Sequence, residues 1–391
     1  MQIDPSGEKT AVRDCKWQNR RFGRAVRISD NSSQNTQKET MIFNEEKKSS
    51  MEEEIFEQAQ VLENLLSMHI QGGEILFEVP SDIKKIVLVA SGSSYHCARF
   101  AADLFGNIAN IEARAIYSSE FLLKSVVPHE DDILYVFITQ SGETSDTNKA
   151  LNIAKEYGMR SLCITNKKDS TIWQASDYKI DCCAGEEKSI AATKSLTTQM
   201  LCCALLVLKY AQIRGIDVAH YLEELKTLPG LVSETFKLQN EIKEIAKPLS
   251  EFKNLVVTAD GISYAIAKEA SLKIKETSYI NVYSSILGEF MHGHVAVLNN
   301  KIAQIHISVD DLSYTAIKNL NKIQEDYNPQ LCIIGNSNSQ VKADYNLNIN
   351  CESEIVKSFC LIVIVQILAL EIAKRLKRNV DKPHGLNKVV K

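Results

Sequence analysis

The chain has 391 residues, 45% hydrophobic and 24% charged, which describes an ordinary globular protein long enough for two domains. Its 45 basic and 49 acidic residues leave a formal charge of -4, so no overall field draws in nucleic acid or an anionic membrane, and neither is expected as a partner. The 10 cysteines include the adjacent pairs Cys182-Cys183 and Cys202-Cys203 but no CxxC, a spacing that suits neither a disulfide framework nor a tetrahedral metal site. Reduced thiols in a cytoplasmic protein are the expectation.

Residues 1–50 differ in composition from the rest, with scattered arginines followed by SDNSSQNTQKET, and read as a disordered extension. No N-terminal apolar run resembles a signal peptide, and the most apolar segment, Phe359 to Leu370, reads as too short to cross a bilayer. From Glu52 to His69 apolar residues recur at helical spacing, which predicts a lead-in helix. Short runs rich in Ile and Val then alternate with helical stretches. Strands are predicted at 86–90, 133–139, 161–165 and 178–181, with helices at 95–111, 147–157 and 195–213. A polar helical connector covers about 217–249. The pattern then repeats, with strands at 255–259, 302–307 and 330–334 and helices at 264–279, 312–326 and 354–378. ASGSSYHCARFAA from Ala90 and ADGISYAIAKEAS from Ala259 share residues at matching positions, so two copies of one α/β unit are expected, each a parallel sheet covered by helices and each with its own core.

Two hydroxyl-rich turns lie where ligands bind in such sheets, after a strand and before a helix. Gly92, Ser93 and Ser94 form the first, and Thr139, Gln140, Ser141, Gly142, Glu143 and Thr144 the second. Backbone N–H groups at a helix start, joined by hydroxyls, can hold a phosphate without a metal. The same serines and threonines could instead simply cap their helices. In KEASLKIKETSYI, Glu269, Lys273 and Glu276 fall on one helix face, a candidate acid/base face that also fits a solvated Glu–Lys pair. Spacing alone makes AGEEKSIAATKSLTTQ a polar loop leading into a capped helix, and the Lys-rich tail NVDKPHGLNKVVK a frayed end.

Taken together, MEEEIFEQ, ASGSSYH, ITQSGETSDT, AATKSLTTQ, KEASLKIKETSYI, GEFMHGH and VDKPHGLNK, in this order, give the chain from about Met51 to Val390 a specific resemblance. It resembles the sugar isomerase (SIS) superfamily and, within it, the isomerase part of the glucosamine-6-phosphate synthases, without the glutaminase domain. The resemblance implies an α/β fold of two tandem SIS domains, each with a parallel sheet of about five strands flanked by helices. The expected divisions are 51–240 for the lead-in helix, first domain and connector, 241–378 for the second domain, and 379–391 for a catalytic tail. It implies that Ser93, Ser94, Thr139, Gln140, Ser141 and Thr144 hold a substrate phosphate. Glu276, with Lys273 beside it, would move a proton between C1 and C2. His292 would open the sugar ring from the other subunit of a homodimer with shared active sites, and Lys388 would form a Schiff base with the open-chain ketose. Departures from the family pattern are Ala192, Tyr283, Ser284, His294, His384 and Asn387.

The expected activity is that of an enzyme, free of metal and cofactor, that converts an amino-sugar 6-phosphate to fructose 6-phosphate and ammonia. Breakdown is favoured because an internal ammonia source is not expected. The alternatives are synthesis with free ammonia or with a separate glutaminase, plain aldose–ketose isomerisation, and a sugar-phosphate sensor without catalysis.

Overall fold

The computed structural model describes residues 48–123 and 130–389. The extension expected over residues 1–50 therefore lies, up to residue 47, outside the described residues. Ser49 accepts from the Glu52 N–H and caps α1 (Ser50–Phe56), so helix begins one residue inside the expected extension. The single lead-in helix expected over 52–69 is two, because a break at Glu57 separates α1 from α2 (Gln58–His69). A small hairpin, β1 (Ile70–Gln71) and β2 (Glu74–Ile75), leads into the first sheet.

That sheet's elements are β3 (Lys85–Ala90), α3 (Gly92–Ala109), β4 (Glu112–Tyr117), α4 (Ser118–Leu122), β5 (Ile133–Thr139), α5 (Ser145–Glu156), β6 (Arg160–Thr165), α6 (Thr171–Ala175) and β7 (Tyr178–Asp181). Helices α7 (Lys194–Ile213), α8 (Ala219–Phe236) and α9 (Gln239–Leu249) connect it to the second unit. There follow β8 (Asn254–Ala259), α10 (Ser263–Ser278), β9 (Asn281–Ile286), α11 (Leu287–Phe290), β10 (Ala303–Ser308), α12 (Tyr314–Tyr327), β11 (Gln330–Gly335), β12 (Tyr345–Asn348) and α13 (Glu354–Arg375). The five-stranded orders are β4-β3-β5-β6-β7 and β12-β11-β10-β8-β9, all pairs parallel. Read in the opposite direction, the second order matches the first strand for strand.

The central strands bury both faces. Every residue of β5, ILYVFIT, is buried, as a sheet covered by helices on each side requires. Two separate cores were expected, but the largest apolar cluster runs from Met51 to Val380 and is shared by both sheets through α3, α7, α10 and α13. Smaller clusters lie on the outer faces, around Phe121 and Tyr135 in the first unit and around Phe290 and Leu320 in the second. Helix α13 corrects a further expectation. It runs for 22 residues, long and apolar enough by composition to cross a membrane, as is α7. Residues 355–373 of α13 are all buried against protein, so its apolar surface is consumed in the shared core.

Candidate active site

In a doubly wound sheet the chain leaves successive strands in opposite directions at one point, and a crevice opens there beyond the strand ends. In the first sheet this point lies between β3 and β5, whose neighbours β4 and β6 lie on opposite sides. The two hydroxyl-rich turns follow these two strands. A cleft of ≈ 260 Å³ opens between them. Ser93, Ser94, Thr139, Gln140, Ser141 and Thr144 all line it, together with Lys273, Glu276 and Lys388.

Neither turn uses its hydroxyls as helix caps. Thr144 stands at the N-cap of α5, but its Oγ1 lies 2.9 Å from Thr139 Oγ1 and makes no bond to the helix amides. The N–H groups of the first turn of α5 thus lack a side-chain acceptor, the condition in which a helix start attracts an anion. Ser141 Oγ accepts from the Glu143 N–H at 3.1 Å, and Ser93 Oγ donates to Glu269 at 3.1 Å. What Ser93 offers a ligand is therefore chiefly its backbone. Gly142 has a φ of +68°, and a Cβ there would stand 2.0 Å from Ser170 Oγ, so the turn's path requires glycine.

The Glu–Lys–Glu face of α10 is not solvated. Glu269 and Lys273 are fully buried, and Glu276 retains partial exposure at the cleft. Lys273 Nζ donates to Glu276 Oε2 at 2.6 Å and lies 3.4 Å from Glu269 Oε1, while His96 Nδ1 of α3 is 2.6 Å from Glu269 Oε2. Burial alone would raise the Glu269 carboxyl, but the Lys273 charge and the His96 and Ser93 contacts outweigh it and hold it below the ordinary glutamate value. Burial pulls the Lys273 ammonium down, yet the flanking Glu276 and Glu269 charges push it above the ordinary lysine value. The result is a cation fixed between two carboxylates, of which only Glu276 faces the cleft.

The tail is not frayed at Lys388. Its ammonium donates to the fully buried Glu187 and to the Ser189 carbonyl at 2.7 Å. Glu187 also accepts from the Thr193 N–H at 2.9 Å, the Ser195 N–H at 3.0 Å and Ser195 Oγ at 2.6 Å, so it caps the start of α7 as well as holding the lysine. Burial tends to raise its carboxyl; Lys388 and Ser195 outweigh this and keep it below the ordinary value. Spacing did not single out Glu187. The available signal was a helix start at Thr193–Ser195 with no acid in its first turn, which calls for a carboxylate from just upstream. Among the described residues no three His, Cys, Asp or Glu side chains gather in a way that could hold a metal ion.

Residues 81–209 and 248–373 each match the SIS domain, one match per sheet. The chain belongs to the SIS domain family. This SIS chain is 33% identical over 350 residues to the glutamine–fructose-6-phosphate aminotransferase (isomerizing) of Campylobacter jejuni, a match that covers 87% of the chain and 58% of that relative. It thus spans somewhat over half the length of the curated relatives it matches. It superimposes on the C-terminal domain of glucosamine-fructose-6-phosphate aminotransferase from Francisella tularensis with a TM-score of 0.82 and 28% identity, covering 86% of this chain and 99% of that one. The glucosamine-6-phosphate deaminase of Thermotoga maritima shares the fold, with a TM-score of 0.71, 22% identity, and coverage of 88% of this chain and 99% of that one.

Two features separate the halves of the SIS pair. First, His292 does not join the cleft of its own chain; it is exposed just after α11 in the second unit. Second, the crevice of the second sheet carries the wrong charge for a phosphate. By strand register, Asp260 stands where Ser91 does, Ile262 where Ser93 does, Val309 where Gln140 does, and Asp310 where Ser141 does. Acids and apolar groups replace donors, so an anion there meets repulsion.

Proposed function

We propose that this chain binds an amino-sugar 6-phosphate of the glucosamine 6-phosphate type and converts it to fructose 6-phosphate and ammonia. The observation that carries the reading is the convergence of both hydroxyl-rich turns with Glu276, Lys273 and Lys388 on one cleft. The phosphate would sit against the turns at Ser93–Ser94 and Thr139–Thr144. With the sugar open, Glu276 removes the proton from C2 and returns it to C1, O1 gains a proton, and the C2 amine becomes an imine. Lys388 then adds to C2 and ammonia leaves, which puts the lysine in an imine that water hydrolyses to the ketose and free amine. The sum is one water consumed and one ammonia released.

For Lys388 to attack, its ammonium must give up a proton, and Glu187 is the carboxylate in contact to take it. Lys273 keeps Glu276 company with a fixed positive charge as enolate-like charge develops on O1. Ring opening is assigned to His292 of a second copy, which makes a homodimer with shared sites part of the reading. The same groups run in reverse would aminate fructose 6-phosphate. The name of the Campylobacter jejuni relative, an aminotransferase, favours this as a second reading, with a separate glutaminase or free ammonia as the nitrogen source. A sensor without catalysis would need the hydroxyl-rich turns but not Glu276, His292 and Lys388.

The deciding experiment incubates purified protein with glucosamine 6-phosphate and follows ammonia enzymatically and the sugar by NMR. Ammonia with fructose 6-phosphate is the expected result. A protein that binds the phosphosugar yet releases no ammonia, and forms no amino sugar when given fructose 6-phosphate and ammonia, would overturn both readings.

A further inference from the structure

The segment MEEEIFEQ matches the family's pattern, yet none of its residues lines the cleft. Three of its side chains instead reach the stretch that carries Glu187. Glu54, only 4% exposed, accepts from the Lys188 N–H, from the Ser189 N–H at 3.2 Å and from Ser189 Oγ. Glu57 pairs with Lys194 at 2.6 Å, and the fully buried Gln58 accepts from Thr197 Oγ1 at 2.9 Å. Helix α1 is itself held by the tail, because the Asp381 carboxylate accepts from the Ser50 and Met51 N–H groups at 2.9 Å each. The Asp381 carbonyl in turn accepts from the Ile190 N–H at 3.4 Å. Helix α1, the 187–190 loop and the tail thus close a ring of contacts.

From this ring we infer that Glu54 is a positioning residue for Lys388. A carboxylate that accepts from two successive N–H groups and a hydroxyl fixes the orientation of the peptide planes on either side of Lys188. The Ser189 carbonyl, which receives Lys388 Nζ, belongs to the next peptide plane, whose Ile190 N–H is held by the Asp381 carbonyl, so Glu54 anchors the Ser189 end of that unit and Asp381 the other. Glu54 therefore acts at one remove. It touches neither the cleft nor Lys388, but it anchors the residue that carries one of the lysine's two acceptors. Glu52, on the same helix, supplies the contrast: it pairs with Lys374 at 2.8 Å and makes no bond to the loop.

The effect on turnover rests on the reading of Lys388 as the imine-forming lysine, so the test includes an arm that does not. Wild type, Glu54→Gln, Ser189→Ala and Glu52→Gln are each labelled with trace acetic anhydride, and the rate at Lys388 is mapped by mass spectrometry. The expectation is faster labelling of Lys388 in Glu54→Gln and, to a smaller extent, in Ser189→Ala, with the wild-type rate in Glu52→Gln. Ser189→Ala alone carries the labelling test if Glu54→Gln does not fold. With glucosamine 6-phosphate, kcat of Glu54→Gln should fall by up to about 100-fold, the order a displacement of about 1 Å produces, with KM little changed. Wild-type labelling at Lys388 in the folded loop variants would overturn the inference, as would an equal change in Glu52→Gln, which would mark α1 as merely structural. An inactive wild type would sink the proposed function and leave the labelling arm to decide on Glu54.

Discussion

His96 Nδ1 on α3 and Glu269 Oε2 on α10 lie 2.6 Å apart, so a side chain of the first unit joins Lys273 and Ser93 in holding down a carboxyl on a helix that belongs to the second. Removing the imidazole takes away one partner of a fully buried carboxylate. His96→Leu should therefore destabilise the fold by about 1–3 kcal/mol, measured by urea unfolding. A double-mutant cycle with Glu269→Gln should show a coupling of about 0.5–3 kcal/mol, whereas additive effects would contradict a working pair.

Glu276 is the one carboxylate of its helix face that reaches the cleft. Glu276→Gln should slow exchange of the sugar C1 and C2 protons with deuterated water by about 10²–10⁴-fold, the range for a positioned general base. Affinity for the phosphosugar should change little, because the turns proposed to hold the phosphate are untouched. Unimpaired exchange followed by NMR would move the base elsewhere.

Borohydride reduction in the presence of fructose 6-phosphate should add the mass of a reduced hexose phosphate to the peptide containing Lys388. Lys388→Arg keeps a positive charge next to Glu187 but offers a guanidinium, which stays protonated and forms no imine. The variant should fold, bind substrate and trap nothing. An adduct mapped to any other lysine would refute the assignment.

His306 provides a pH test away from the cleft. It lies in β10, almost fully buried, with Nδ1 3.1 Å from Thr258 Oγ1, and burial pulls its pKa from 6.5 down to about 4. A folded pKa below the unfolded one means that the unfolded chain takes up the proton first as the pH falls. The stability contribution is complete above the unfolded value and declines from there towards pH 4. At 1.36 kcal/mol per unit the full loss is about 3 kcal/mol. Urea midpoints measured between about pH 7 and pH 4.5 should fall less steeply for His306→Leu than for wild type, and parallel slopes would count against the buried neutral ring.

The central strands β3 and β5 were legible because burial on both faces writes a continuous apolar run. Three of the four edge strands escaped for the converse reason: β4, β9 and β12 mix exposed and half-buried residues, and EARAIY or YNLN carries no such run. Glu269, Lys273 and Glu276 could be placed on one face, but their burial depends on α3 and on His96, which lies 173 residues from Glu269 in the chain. Helical spacing cannot report that. Glu187 stayed hidden because its partners Lys388 and Ser195 come from a tail and a helix start that only the folded chain brings together.

The acids at the mouth of the second sheet bear on counting. A chain built from two copies of one fold would be expected, on symmetry, to take up two equivalents of ligand, yet Asp260 and Asp310 leave the second crevice unsuited to any anion. On the proposed reading, duplication has separated a unit that holds the phosphate from one that lends α10 across to its twin and His292 to a second copy. Binding stoichiometry should accordingly be one phosphosugar per chain.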